Sequence, residues 1–151
     1  QLSDNTANDW SITGVQMEIG SQATPFEHRS FGEELTLCQR YFEIHTTLVD
    51  FHMLAMAQAI SSTQARFFMP FLVTKRAAPT ATFSASGTFT AVTADGSNAG
   101  AATAIAAETS DINGLRGVLT VGSGLSAGDG SLLQMLGSQD SAATVKLDAE
   151  L

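Results

Sequence analysis

From Ala65 to Thr74 the chain sets a large apolar side chain at every second position, with Phe67, Met69, Phe71 and Val73 in register. A repeat of two puts all four on one side of a pleated strand, whereas a helix would scatter them around its axis. This is the richest apolar stripe in the sequence and the expected centre of the core. Pro70 falls on the opposite side. A proline has no amide to give to a ladder, so its presence predicts an edge strand or a bulge there.

The stripe organises its neighbours. Phe51 to Ile60 reads as the other arm of a hairpin, joined through Ser61-Ser62-Thr63-Gln64. Thr80 to Ser84 reads as a further strand, with Thr88 to Val92 as its continuation or partner. Asp95-Gly96-Ser97-Asn98 is a turn signal inside the Ala, Gly, Thr and Ser text of residues 93–107, where the alanines also permit a helix. Asp111-Ile112-Asn113-Gly114 predicts a tight turn, because Asn and Gly accept positive φ, and it leads into a strand at Leu115 to Val121. Gly122 to Gly130 is a glycine-rich loop, Ser131 to Leu136 a short apolar element and Ala143 to Leu147 a last strand. Short strands punctuated in this way predict an antiparallel sandwich or jelly roll.

Upstream the pattern is looser. Trp10 to Ile19 alternates after Gly14, with Val15, Met17 and Ile19 on one face, and predicts a strand. Pro25 breaks the pattern and forces Thr24 to be extended. Glu33 to Ile44 fits both helical and strand spacing, and divides into a short helical turn followed by a strand. Residues 1–32 are expected to form an extended arm, and residues 33–151 one β-domain.

Composition narrows the partners. Fifteen acidic against seven basic side chains give a formal charge of −8, a field that repels nucleic-acid phosphates and anionic lipid. No apolar run approaches the roughly 20 residues that cross a bilayer, and Gln1 to Asp9 lacks the basic and apolar regions of a signal peptide. The charged fraction of 15% suits a surface partly covered by neighbouring subunits.

Motifs of chemistry are present only in fragments. Gly124-Leu125-Ser126-Ala127-Gly128 matches the G-x-S-x-G nucleophile elbow, but that chemistry needs an acid and then a histidine downstream, and the last histidine is His52. Gly122, Gly124 and Ala127 meet a relaxed dinucleotide pattern without room for the βαβ unit that must follow. His45, Asp50 and His52 are donors suited to a divalent ion, in a spacing that matches no compact metal motif. His28 lies between Glu27 and Arg29, as a surface or subunit contact would. Glu33 and Glu34 diverge on any regular backbone, so they make no acid/base pair, and in a first helical turn they would complement exposed amides. Cys38, the one cysteine, is expected to be a buried inert thiol. Trp10 and Tyr41 are the aromatic candidates for stacking on a sugar. No catalytic set, metal or cofactor is expected.

One long segment carries a resemblance. Thr13-Gly14-Val15-Gln16-Met17-Glu18-Ile19-Gly20 through Ala23-Thr24-Pro25-Phe26-Glu27-His28-Arg29 to Leu37-Cys38-Gln39-Arg40-Tyr41-Phe42 resembles a junction found in tail-fibre and other virion proteins of bacteriophages and prophages. Lys75-Arg76-Ala77-Ala78-Pro79-Thr80-Ala81-Thr82-Phe83 and the closing Asp148-Ala149-Glu150-Leu151 are similar to it as well. In that family a jelly-roll module of carbohydrate-binding type ends in the T-G-V-Q-x-E-x-G strand, and a distal β-domain begins near C-Q-R-Y. Residues 87–145 carry no such motif.

The resemblance implies placement in a virion, repeated copies, frequent homotrimeric assembly and contact with a host cell-surface polysaccharide. On that reading the ligand-binding candidates are loop residues, Asp95, Ser97 and Asn98 in one loop and Ser123, Ser126 and Asp129 in another. The rival is a purely structural virion protein, a capsid decoration or adaptor, in which the leading segment anchors the chain and no receptor exists.

Overall fold

The computed structural model describes residues 11–22, 24–47, 51–136 and 143–150. Among the described residues of 11–30 there is no helix or strand. The expected strand at Trp10 to Ile19 is therefore absent over its described part, where no other described segment pairs with it. Helix α1 (Phe31–Gln39) starts on a capping box: the Glu33 amide donates to Ser30 Oγ (3.3 Å) and the Ser30 amide to Glu33 Oε2 (2.8 Å). Such a cap contributes about 1 kcal/mol. It defines this helix, which buries no side chain of its own.

The described residues then form ten strands, β1 (Phe42–Thr46), β2 (His52–Ala59), β3 (Gln64–Pro70), β4 (Thr80–Phe83), β5 (Phe89–Thr93), β6 (Asn98–Ala101), β7 (Ala104–Ser110), β8 (Gly114–Thr120), β9 (Gly130–Met135) and β10 (Thr144–Asp148). They pair antiparallel in a three-stranded sheet, β1-β10-β4, and a seven-stranded sheet, β6-β5-β9-β2-β3-β8-β7. The architecture is all-β and sandwich-like. The larger sheet curls so that its two edge strands, β6 and β7, are joined through only Ala102 and Thr103. The Ala102 amide donates to Phe89 O (2.8 Å) and the Thr103 amide to Thr120 O (2.8 Å).

The alternation of β3 is realised as Ala65, Phe67 and Met69 buried and Arg66, Phe68 and Pro70 outward. Phe67 meets Leu115 and Leu119 of β8, Phe89 and Ala91 of β5, Leu133 and Met135 of β9 and Val145 and Leu147 of β10 in one apolar cluster. Phe83 of the small sheet stands edge-on to both Phe67 (6.3 Å) and Phe89 (6.0 Å), so three aromatic rings join the two sheets.

Several expectations are corrected. The stripe leaves its strand at Pro70, and Phe71 and Val73 are half-buried in the connection that follows. Nor is β3 an edge strand or bulged, for it lies between β2 and β8 in unbroken register. The Phe71 amide donates toward β8, to Asn113 O (2.9 Å). Alternation then directs the missing Pro70 donor toward β2, where the ladder has already ended at Met56↔Phe68. Strands β4 and β5 belong to different sheets, separated by a 3-10 turn at Ser86–Thr88. Residues 93–107 supply β6 and β7 and no helix. The turn at Asp111 forms without positive φ at Asn113 or Gly114, because Asp111 Oδ1 accepts from both of their amides (2.6 and 2.8 Å).

Candidate functional site

Three connections gather at one end of the seven-stranded sheet. Gln64 pairs with Thr120 and Thr93 with Ser131, so the β2–β3, β5–β6 and β8–β9 connections emerge together. The long β8–β9 loop is clamped to the hairpin: the Val121 amide donates to Thr63 O (2.8 Å), Leu125 to Ser62 O (3.2 Å), Gly128 to Ala59 O (2.8 Å), and Ala59 back to Asp129 O (2.9 Å). Leu125 is buried and pins the loop to the core.

All six loop candidates lie at this end, but they do different work. The Asp95 carboxylate accepts from the Thr93 hydroxyl (2.5 Å) and the Ser97 amide (2.9 Å), which hold it below the usual carboxylate range. Gly96, at φ 84°, completes the turn. Asn98 Oδ1 accepts from Thr90 Oγ1 (2.6 Å) and the Gly100 amide (2.7 Å). Asp95 and Asn98 thus spend their acceptors on their own turn. The side chains of Ser97, Ser123, Ser126 and Asp129 are exposed around it. Ser126 lies in a loop between two strands, without the helix that a nucleophile elbow enters.

The segments that carried the resemblance supply α1, the connection that holds Lys75, β4, and one end residue each of β1 and β10. Strands β1, β10 and β4 supply the small sheet, and the Ala149 amide donates to Tyr41 O (2.7 Å). Beneath it Glu43 points inward, while Phe42 and Ile44 face out. Glu43 forms a buried ion pair with Lys75, whose Nζ also donates to Gln39 O (2.6 Å), and His45 Nε2 lies 2.6 Å from the other Glu43 oxygen. The Lys75 amide donates to Ile112 O (2.7 Å) and the Arg76 amide to Arg40 O (2.9 Å). Ile112 belongs to the turn before β8, so α1 joins the domain at the end away from the gathered loops.

The leading segment is folded on itself. Glu18 accepts from the Thr24 amide and hydroxyl (both 2.5 Å), which lower its pKa, hydroxyl first, and Gln16 Oε1 accepts from the Glu27 amide (2.9 Å). The polar residues of the T-G-V-Q-x-E-x-G pattern therefore bind their own loop, while Val15, Met17 and Ile19 face solvent. Cys38 is exposed, contrary to expectation, because α1 buries none of its residues.

Of the remaining candidates, Tyr41 is partly exposed with the Arg76 guanidinium 5.5 Å from its ring centroid, an arrangement that occupies one face. His28 stands edge-on to Phe26 (5.0 Å), and Arg29 pairs with Glu27 (2.6 Å) and Glu34 (3.3 Å). Trp10 and Asp50 lie outside the described residues. Among the described residues no three His, Cys, Asp or Glu side chains gather as metal ligands.

The outward face of the large sheet carries a cross-strand row, Val92↔Leu132↔Met56↔Phe68↔Arg116↔Thr109. Met56 is 70% and Phe68 56% exposed. Arg66 and Arg116 both pair with Glu108 (2.8 and 3.1 Å), which holds the Glu108 carboxyl below its usual range, chiefly through the Arg66 hydrogen bond. The adjacent residues Phe67-Phe68 were the available signal, since two neighbouring apolar residues place one on each face. The chain matches no protein-family model, no curated protein and no solved structure.

Proposed function

We propose that this chain is the distal β-domain of a bacteriophage fibre or spike, assembled as a homo-oligomer, most simply a trimer, and that it attaches the virion to a host cell-surface polysaccharide. The observation that carries the reading is the separation of the two ends. The segments resembling virion proteins supply α1, the connection that holds Lys75, and β4, and α1 joins the domain at the end of the large sheet away from the gathered loops. A mount and a presented tip are what an appendage domain requires.

At that tip Asp95 and Asn98 hold the turn rigid, so Ser97, Ser123, Ser126 and Asp129 meet a ligand on pre-ordered backbone. Hydroxyl and carboxylate groups of this kind exchange hydrogen bonds with sugar hydroxyls. Each contact is weak, and several tethered copies raise the effective concentration of sites by orders of magnitude. Placement with other virion proteins follows from the same reading.

The apolar outward face favours a second reading, a purely structural virion protein whose surfaces serve assembly alone. Adsorption of the purified protein to host cells separates the two. Alanine at Ser123, Ser126 and Asp129 should abolish adsorption and leave the oligomer intact; unchanged adsorption with failed particle assembly would support the structural role.

A further inference from the structure

We propose that the outward face of the seven-stranded sheet, centred on Met56 and Phe68, is the interface at which copies of this chain associate. The inference rests on the homo-oligomeric part of the reading above and adds the surface responsible. Val92, Leu132, Met56 and Phe68 form a continuous apolar row across four strands, in the outward position where a solvated sandwich carries polar residues.

Charge selects a second copy as the occupant. The whole chain carries −8, so most of its surface repels another copy. This face holds Arg66 and Arg116 against Glu108, a local balance of +1, which leaves −9 for the remainder. It is therefore a face on which two copies meet without the repulsion carried elsewhere. Its size is also sufficient. Five strands about 4.8 Å apart and about 20 Å long present roughly 500 Å² per copy, or about 1,000 Å² for a pair, the lower bound of a specific interface.

A polysaccharide fits the face less well. The centre of the row offers no hydroxyl partner, and the three charged groups beside it are bonded to one another.

The test uses the full chain and measures mass by light scattering. The wild type should run at two or more times the chain mass, and Met56→Glu and Phe68→Asp as monomers with the β-type circular dichroism retained. Asp129→Ala, at the loop tip, should keep the wild-type mass. A second measurement covers the case in which the charged variants unfold: Met56→Cys in a Cys38→Ser background should react with a maleimide at least tenfold more slowly in the oligomer than after dilution to monomer. Unaltered mass in folded charged variants, or equal labelling rates, would overturn the proposal. So would a monomeric wild type, whatever else binds at Phe68. Loss of host adsorption in a loop variant of unchanged mass would bear on attachment and leave this interface untouched.

Discussion

The side chains of Lys75 and Glu43 form an ion pair almost wholly removed from solvent, at the junction of α1, β1 and the connection that precedes β4. Removing Lys75 leaves the buried Glu43 carboxylate with only the His45 ring against it. Lys75→Met should therefore destabilise the domain by about 3–5 kcal/mol, and the double variant with Glu43→Leu should recover much of that loss. Urea denaturation of the single and double variants measures both.

Gly117 lies opposite Phe67, and a Cβ added there would sit 2.3 Å from Phe67 Cζ and 2.7 Å from Ala106 O. Backbone on one side and a core ring on the other leave no room to yield. Gly117→Ala should cost about 1–3 kcal/mol, and Phe67→Leu in the same chain should relieve only the ring clash. Thermal unfolding of the two variants checks this.

The hairpin of β2 and β3, the turns at Asp95 and Asp111 and the glycine-rich loop were legible because each depends on residues close in sequence. Pairing between distant strands was not. Alternation reports which residues share a face, so Phe67 and Met69 were assigned to the core, yet it could not say that β4 and β5 join different sheets. In β1 alternation misleads, for Phe42 and Ile44 face out and Glu43 faces in, a placement that depends on Lys75 more than thirty residues away. Val15, Met17 and Ile19 alternate as a strand should, and the described chain offers them no partner. Of the tip, the position of all six residues follows from turn chemistry, but the division between turn-holding Asp95 and Asn98 and presented Ser126 and Asp129 rests on hydrogen bonds that no local pattern encodes.

Asp95 and Glu33 have depressed pKa values for one physical reason, donors held against the carboxylate: for Asp95 the Thr93 hydroxyl first, and for Glu33 the Ser30 amide first. A depressed folded value stabilises above the unfolded pKa, and that contribution is lost as pH falls through the folded value. Both structures should thus be intact at neutral pH and loosen only in acid. Thr93→Val should raise the Asp95 titration midpoint toward that of a free carboxylate, and Ser30→Ala should do the same for Glu33 while fraying α1. Carboxyl-carbon NMR titration reads each site directly.

Whether the gathered loops meet a host-surface polysaccharide, as proposed, is measured most directly by retention of the purified, assembled protein on immobilised polysaccharide from host cells. The wild type should be retained, and a variant with Ser123, Ser126 and Asp129 replaced by alanine should pass through at unchanged oligomeric mass. Absence of wild-type retention, or equal retention of the loop variant, would rule out attachment through these loops.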